Sequence, residues 1–293
     1  MKQPKIKALF FDIDGTLVSF KTHKIPASTT ESLERAKANG VEIYISTGRP
    51  TPLITVLGDI EHLIDGYITA NGAYCFAHNE DVCLHAIPAN DVETMVEEAT
   101  RQRFSCVLVG TKNLCIYQPD EKFRRIFVDM LQVKAFEQGV TIDEILKEPI
   151  LQMSPFITPQ QEEALMQKLT GCLSGRWHPE FTDVTSRWAD KGQGLHAMAR
   201  HLDFSMEETM AFGDGGNDIS IIEQAAVGVA MGNSVPELKK VADYVTTSVD
   251  EDGVKNALER YGVSLGWVFK FSPHIVIKCL LNTFCFFFVS FLF

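Results

Sequence analysis

The sequence predicts an α/β fold: a parallel sheet covered by helices on both faces, interrupted by an inserted α+β unit. Three observations carry the prediction. Short apolar strands alternate with helical segments at both ends of the chain, the pattern of a parallel sheet. From about Pro88 to Thr185 that alternation gives way to helices mixed with short strands. After Lys191 the first pattern returns.

Taken in order, Lys5–Phe11 reads as a buried strand. A helix follows from about Ala27, with Ser28 or Thr29 as its cap and Gly40 as its stop. Val41–Ser46 is a second strand, Pro50 and Pro52 open another helix, and Tyr67–Thr69 runs into Asn71-Gly72, a hairpin turn signal. In the middle, helices are expected at Asp91–Arg103 and Pro159–Leu169. Strands are expected at Ser105–Val109, Asn113–Tyr117, Ile150–Phe156 and Asp183–Ser186. Leu195, Met198, Ala199 and Leu202 then share one helical face at i, i+3, i+4 and i+7. Strand Thr209–Phe212, helix Ile219–Ala225, strand Val227–Ala230, helix Val235–Val241 and helix Val254–Tyr261 complete the pattern. The expected organisation is a discontinuous core over 1–84 and 188–262, a cap over 85–187, and an apolar tail over 263–293.

Composition narrows the function. The 293 residues suit one large domain or two modest ones at roughly 150 residues each. A formal net charge of −11 argues against a nucleic-acid binder, which presents a basic face. An acidic protein that handles anions has to concentrate positive groups locally. The seven cysteines (Cys75, Cys83, Cys106, Cys115, Cys172, Cys279 and Cys285) form no CxxC pair, so they read as reduced thiols of a cytoplasmic protein. The apolar run that meets Asp12 is shorter than a signal-peptide core of about 7–15 residues. Cys279–Phe293 holds six phenylalanines and no charge, yet falls short of the ~20 apolar residues of a spanning helix. Membrane contact through this tail is therefore not the expected reading.

Three polar motifs stand at three expected strand ends: Asp12 and Asp14 in FFDIDGTL, Ser46-Thr47-Gly48, and Asp214 to Asp218 in GDGGND. In an open parallel sheet, ligands bind outside the carboxyl ends of the strands. Each motif alone is ordinary turn and cap chemistry. Together, four acids, a hydroxyl and Lys191 make a site for Mg²⁺ and a phosphate group. Mg²⁺ takes one or two carboxylates and leaves room for water and substrate oxygens.

FFDIDGTL, ISTGR, Lys191-Gly192 and GDGGND resemble the four motifs of the haloacid dehalogenase superfamily. TANGA and the intervening α+β segment resemble, more narrowly, its Cof-type phosphatases with a type C2 (IIB) cap. The resemblance covers about residues 5–262. It implies a Rossmann-like parallel-sheet core with an inserted C2-type cap, and a Mg²⁺-dependent phosphatase of small phosphorylated metabolites such as sugar phosphates. By motif, Asp12 would be the nucleophile that forms an aspartyl-phosphate, and Asp14 the acid and base, its carbonyl also touching the metal. Thr47 and Gly48 would hold phosphate oxygens, with Asn217 beside them. Lys191 would neutralise Asp12 and the phosphoryl group. Asp214 would ligate the metal with Asp12 and Asp14, and Asp218 would support the metal shell or orient Lys191.

Alternatives stay open. A hexose-phosphomutase-like phosphotransferase would need a cationic cluster in the cap, for which Arg101, Arg103, Lys122, Arg124, Arg125, Arg176 and Arg187 are candidates. A non-catalytic phosphometabolite-binding protein would have no use for both Asp12 and Asp14. A nicotinamide-dependent oxidoreductase is disfavoured because DxDGT stands where GxGxxG would. Trp177, His178, Phe181, Arg187 and Trp188 could line a sugar pocket or simply pack the cap.

Overall fold

The computed structural model describes residues 5–126 and 139–264. The tail over 265–293 lies outside the described residues, and so does the question of its membrane contact. Among the described residues, no helix is long and apolar enough to cross a membrane.

Among the described residues, two sheets organise the chain. The larger has eight strands. It contains β1 (Ala8–Phe11), β2 (Glu42–Ser46), β3 (Gly66–Thr69), β4 (Tyr74–Ala77), β5 (Glu80–Leu84), β11 (Thr209–Gly213), β12 (Val227–Ala230) and β13 (Tyr244–Val245), in the order β13-β12-β11-β1-β2-β3-β4-β5. From β13 to β3 all pairs are parallel, and β4 and β5 are antiparallel. The smaller sheet is antiparallel and has five strands: β6 (Cys106–Gly110), β7 (Leu114–Tyr117), β8 (Ile150–Pro155), β9 (Cys172–His178) and β10 (Phe181–Ser186), in the order β7-β6-β8-β10-β9.

Strand alternation explains the layers. Side chains along a strand point to opposite faces in turn. Leu9 and Phe11 therefore join Ile43, Ile45 and Phe212 on one face of the large sheet, under α1 (Ala27–Ala38) and α9 (Gly253–Arg260). Ala8 and Phe10 join Tyr44 and Ala211 on the other, under α6 (Lys191–His201), α7 (Ile219–Gln224) and α8 (Pro236–Val241). Phe11 stacks on Phe212 at 4.6 Å, and Phe10 on Tyr44 at 4.9 Å. One face of the small sheet is packed by α2 (Ala89–Gln102), α4 (Ile142–Ile145) and α5 (Pro159–Met166). A short α3 (Glu121–Phe123) lies on its other face, which also receives Leu53 from the chain that follows β2.

The structure corrects several expectations. No full helix follows Pro50: a single 3₁₀ turn spans Thr51–Leu53, because the run Ile54-Thr55-Val56 is poor in helix propensity. Ser28 does not cap α1. Its hydroxyl donates to Asp252 Oδ1 at 2.5 Å. Gly40 does stop that helix, with φ of 77°. The large sheet is mixed, not wholly parallel. Asn71-Gly72 does turn the chain between β3 and β4, inside a four-residue connection where Asn71 has φ 55° and Gly72 φ 92°.

Candidate active site

Strand order creates the crevice. The neighbours β11, β1 and β2 end side by side, so the chain beyond them delivers Asp214, Asp12 and Thr47 to one place. Asp12 extends β1 by one residue, its N–H bonded to Phe212 O at 3.0 Å. The turn beyond it needs Gly15. Its φ is 85°, and a Cβ there would sit 2.3 Å from Asp214 Oδ2. Asn233, on the loop after β12, ties the same corner. Its Nδ2 donates to Gly15 O at 2.8 Å, while its Oδ1 accepts from Val249 N.

Lys191 enters from another element. Asp190 caps α6 by accepting from Gln193 N at 2.9 Å, which fixes Lys191 as the first helical residue. The turn at Gly72 packs against that cap so closely that a Cβ would lie 2.2 Å from Asp190 O. The Lys191 ammonium is fully buried and bonds Asp12 Oδ1 at 2.7 Å and Asp218 Oδ1 at 2.6 Å. Burial disfavours its charge. The Asp12 and Asp218 carboxylates outweigh that and raise its pKa above the ordinary lysine value. The second oxygen of Asp218 accepts from Asp214 N at 3.0 Å and Gly215 N at 2.9 Å. Asp218 thus serves the lysine with one oxygen and the loop after β11 with the other.

Asp12, Asp214 and Asp218 converge, with one oxygen of each within 4.8 Å of the others. Burial pushes Asp12 and Asp214 up to about 7, and the neighbouring Asp218 carboxylate adds to it. One ammonium among three carboxylates leaves a deficit of positive charge. Oxygen donors with that deficit suit a hard divalent cation such as Mg²⁺.

The Asp14 carboxylate is not in this trio. It forms a bidentate pair with Arg49, Nε to Oδ2 and Nη2 to Oδ1, both at 2.7 Å. The planar guanidinium fork matches a carboxylate in this way and draws the side chain towards the loop after β2. Arg49 also donates to Leu53 O at 3.1 Å. Of the expected anion-holding residues, Thr47 is buried and its Oγ1 accepts from Arg49 N at 3.1 Å. Gly48 lies beneath two amides. A Cβ there would come 3.1 Å from Asn71 Oδ1 and 3.4 Å from Asn217 Nδ2, and these two side chains bond each other at 2.9 Å. Asn217 is thus brought to Gly48. Sequence reasoning missed Asn71, Asn233 and a role for Arg49. The strand-end rule that found Asp12 applies equally to Asn233, which follows β12.

A carboxylate trio with a buried lysine thus stands at adjacent strand ends of a mixed sheet that helices cover on both faces. The chain belongs to the haloacid dehalogenase-like hydrolase family, which residues 9–258 match. It is 31% identical over 260 residues to YkrA of Bacillus subtilis, covering 88% of this chain and 98% of that protein. It is 28% identical to 5-amino-6-(5-phospho-D-ribitylamino)uracil phosphatase YcsE of the same organism, over 87% of this chain and 96% of YcsE. Among solved structures, it superposes on the subclass IIB sugar phosphatase BT4131 with a TM-score of 0.77 at 45% identity, covering 88% of this chain and 99% of that one. The chain is accordingly an enzyme, a hydrolase of the phosphatase kind with a cap sheet over its core.

Proposed function

We propose that this enzyme is a Mg²⁺-dependent phosphatase of small phosphorylated metabolites, sugar phosphates in particular, working through an aspartyl-phosphate on Asp12. The observation that carries the reading is the pairing of buried Asp12 with buried Lys191 at 2.7 Å, beside Asp214 and Asp218. Asp12 and Asp214, with the backbone carbonyl of Asp14, would hold the ion. Bound Mg²⁺ supplies positive charge that offsets the repulsion between a carboxylate and a phosphoryl group. Both oxygens of Asp218 already accept bonds, so its part is to orient Lys191 and the loop after β11.

The chain's own residues then account for the two displacements. Asp12 attacks phosphorus through one carboxylate oxygen, and the bond to the ester oxygen breaks. Asp14 protonates the departing oxygen. Lys191 balances the charge gathered on Asp12 and the phosphoryl group, while Thr47 and the Gly48 amide, with Asn217 alongside, orient the phosphoryl oxygens. In the second step Asp14 takes a proton from water as that water attacks the phosphoryl group, releasing phosphate and restoring Asp12. Positioning and charge stabilisation carry most of such a reaction.

The smaller sheet supports a hydroxyl-rich leaving group. Gln152 Nε2 donates to Ser154 Oγ at 3.3 Å, which donates to Asp183 Oδ1 at 2.6 Å. By register, Gln152 and Ser154 share a face with Val109 and Val107, the face Leu53 meets. The late aromatic cluster is instead packing at Phe181, which is fully buried and stacked on His178 at 5.1 Å. Trp188 stands 65% exposed, and the Trp177 side chain lies outside the described residues. A phosphomutase reading gains nothing here. Arg101 pairs with Glu98, Arg176 with Glu162, and Lys122 and Arg125 with Glu180, so four of its candidate cations are committed to carboxylates.

Phosphate release from a panel of phosphorylated metabolites tests the reading. Turnover that stops with EDTA and returns with Mg²⁺ but not Ca²⁺ is expected, since Ca²⁺ favours 6–8 oxygens in looser geometry. Full turnover in chelator would contradict it, and no turnover on any ester would favour a binding protein.

A further inference from the structure

Cys75 and Cys83 take no part in the chemistry above, yet the fold sets them opposite each other. They are direct partners across the antiparallel pair β4 and β5. Both face α6: Cys75 is buried among Leu195 and Met198, and Cys83 packs on the same cluster. A Cβ on Gly194 of α6 would lie 3.2 Å from Cys75 Sγ, so the helix seals that sulfur from solvent. Cys83 is only partly buried and opens onto a surface groove of about 450 Å³, with His85, Gln193, Arg200 and His201. Cys106, Cys115 and Cys172 are all buried. One thiol of the pair is therefore reachable and the other waits behind it.

We propose that Cys83 and Cys75 form a thiol-modification site, a reversible dithiol–disulfide couple that reacts with low-molecular-weight disulfides. Directly opposed residues of an antiparallel pair have Cα atoms about 4.5–5.5 Å apart. A disulfide accepts about 4.4–6.8 Å, so a directly opposed pair lies within its reach; the register shifts only past Cys75, towards Phe76. The interaction of the two thiols raises the Cys75 pKa and lowers that of Cys83; the positive charge of Arg200 lowers Cys83 further. Arg200 equally suits an incoming disulfide that carries carboxylates.

The chemistry balances in two exchanges. The Cys83 thiolate attacks one sulfur of the external disulfide, forming a mixed disulfide and expelling one thiolate. Cys75 then gives up its proton, and its sulfur attacks Cys83 Sγ and expels the second thiolate. The protein loses two protons and two electrons overall, and the external disulfide takes them up to become two thiols. The new bond would fasten β5 to β4 at the point where the chain leaves the large sheet for α2.

The test uses the reduced full-length protein and glutathione disulfide. After the reaction, remaining thiols are alkylated and the chain is cut after glutamate, which separates Cys75 from Cys83 at Glu80. The expected result is a joined pair of peptides holding Cys75 and Cys83, short of two hydrogens and released by dithiothreitol. Cys279 and Cys285 are read together on the separate peptide that follows Glu259. In Cys75→Ser, a glutathione adduct should persist on Cys83. Cys83 left unmodified, or an adduct on Cys83 of the unaltered protein that never resolves onto Cys75, would overturn the proposal.

Discussion

At the scale of single residues, charge is placed where burial makes it count. Glu98 shows this away from the crevice. It accepts from Arg101, Lys168 and Gln102, and these donors hold its carboxyl down to about 2, against the desolvation that opposes them. A folded-state pKa below the unfolded value of about 4.3 stabilises the fold above that value and ceases to do so as pH falls towards 2. Arg101 and Lys168 are about half exposed, so screening limits the gain to about 1 kcal/mol. Glu98→Gln should therefore melt lower than the parent at pH 7, with a gap that narrows between about pH 5 and pH 2. An unchanged gap at pH 3.5 would show that the ion cluster is not its source. Gly15 gives the steric counterpart. Gly15→Ala puts a methyl at φ 85° into the Asp214 carboxylate, 2.3 Å away in the present backbone. A loss of about 1–3 kcal/mol in stability is expected from the strain, with activity down by roughly tenfold or more. Parent-like phosphate release by this variant would mean that the turn is not tightly held.

At the scale of elements, legibility followed burial and periodicity. The strands ending in Asp12, Ser46 and Gly213 are continuous apolar runs because the sheet is covered on both faces, and they could be read directly. The strands that escaped notice lie at or next to sheet edges. The sequence of β5, EDVCL, is largely exposed, and β9, CLSGRWH, mixes polar residues with a glycine. Neither carries a continuous apolar signal. The site divided in a similar way. Asp12, Lys191, Asp214 and Asp218 stand at expected strand and helix ends, and the fold brings them together. The turn to Asp14 was equally visible, but the sequence held no sign that Arg49 would pair with its carboxylate. Asn71, 146 positions from its partner Asn217, acquires meaning only through that adjacency.

At the scale of the whole molecule, the large sheet forms the floor of the crevice and the small sheet faces it through Leu53. The last described helix, α9, packs back against α1. Among the described residues, Asn39 Nδ2 bonds Val263 O at 2.9 Å and Val263 N bonds Leu258 O at 2.9 Å, which ties the end of α9 to α1. A chain cut after Ser264 should fold, melt within a few degrees of the full chain and release phosphate at the same rate. A large drop in melting temperature with lost activity would show that 265–293 packs on the core.

Asp12 is the proposed nucleophile, and the phosphate-release rate of Asp12→Asn is the measurement that bears on it. The amide keeps the shape of the side chain but cannot displace an ester oxygen. The rate should fall by more than about a thousandfold, roughly 4 kcal/mol in the barrier, with circular dichroism unchanged. A folded Asp12→Asn protein that retains more than about a thousandth of the parent rate would contradict the account.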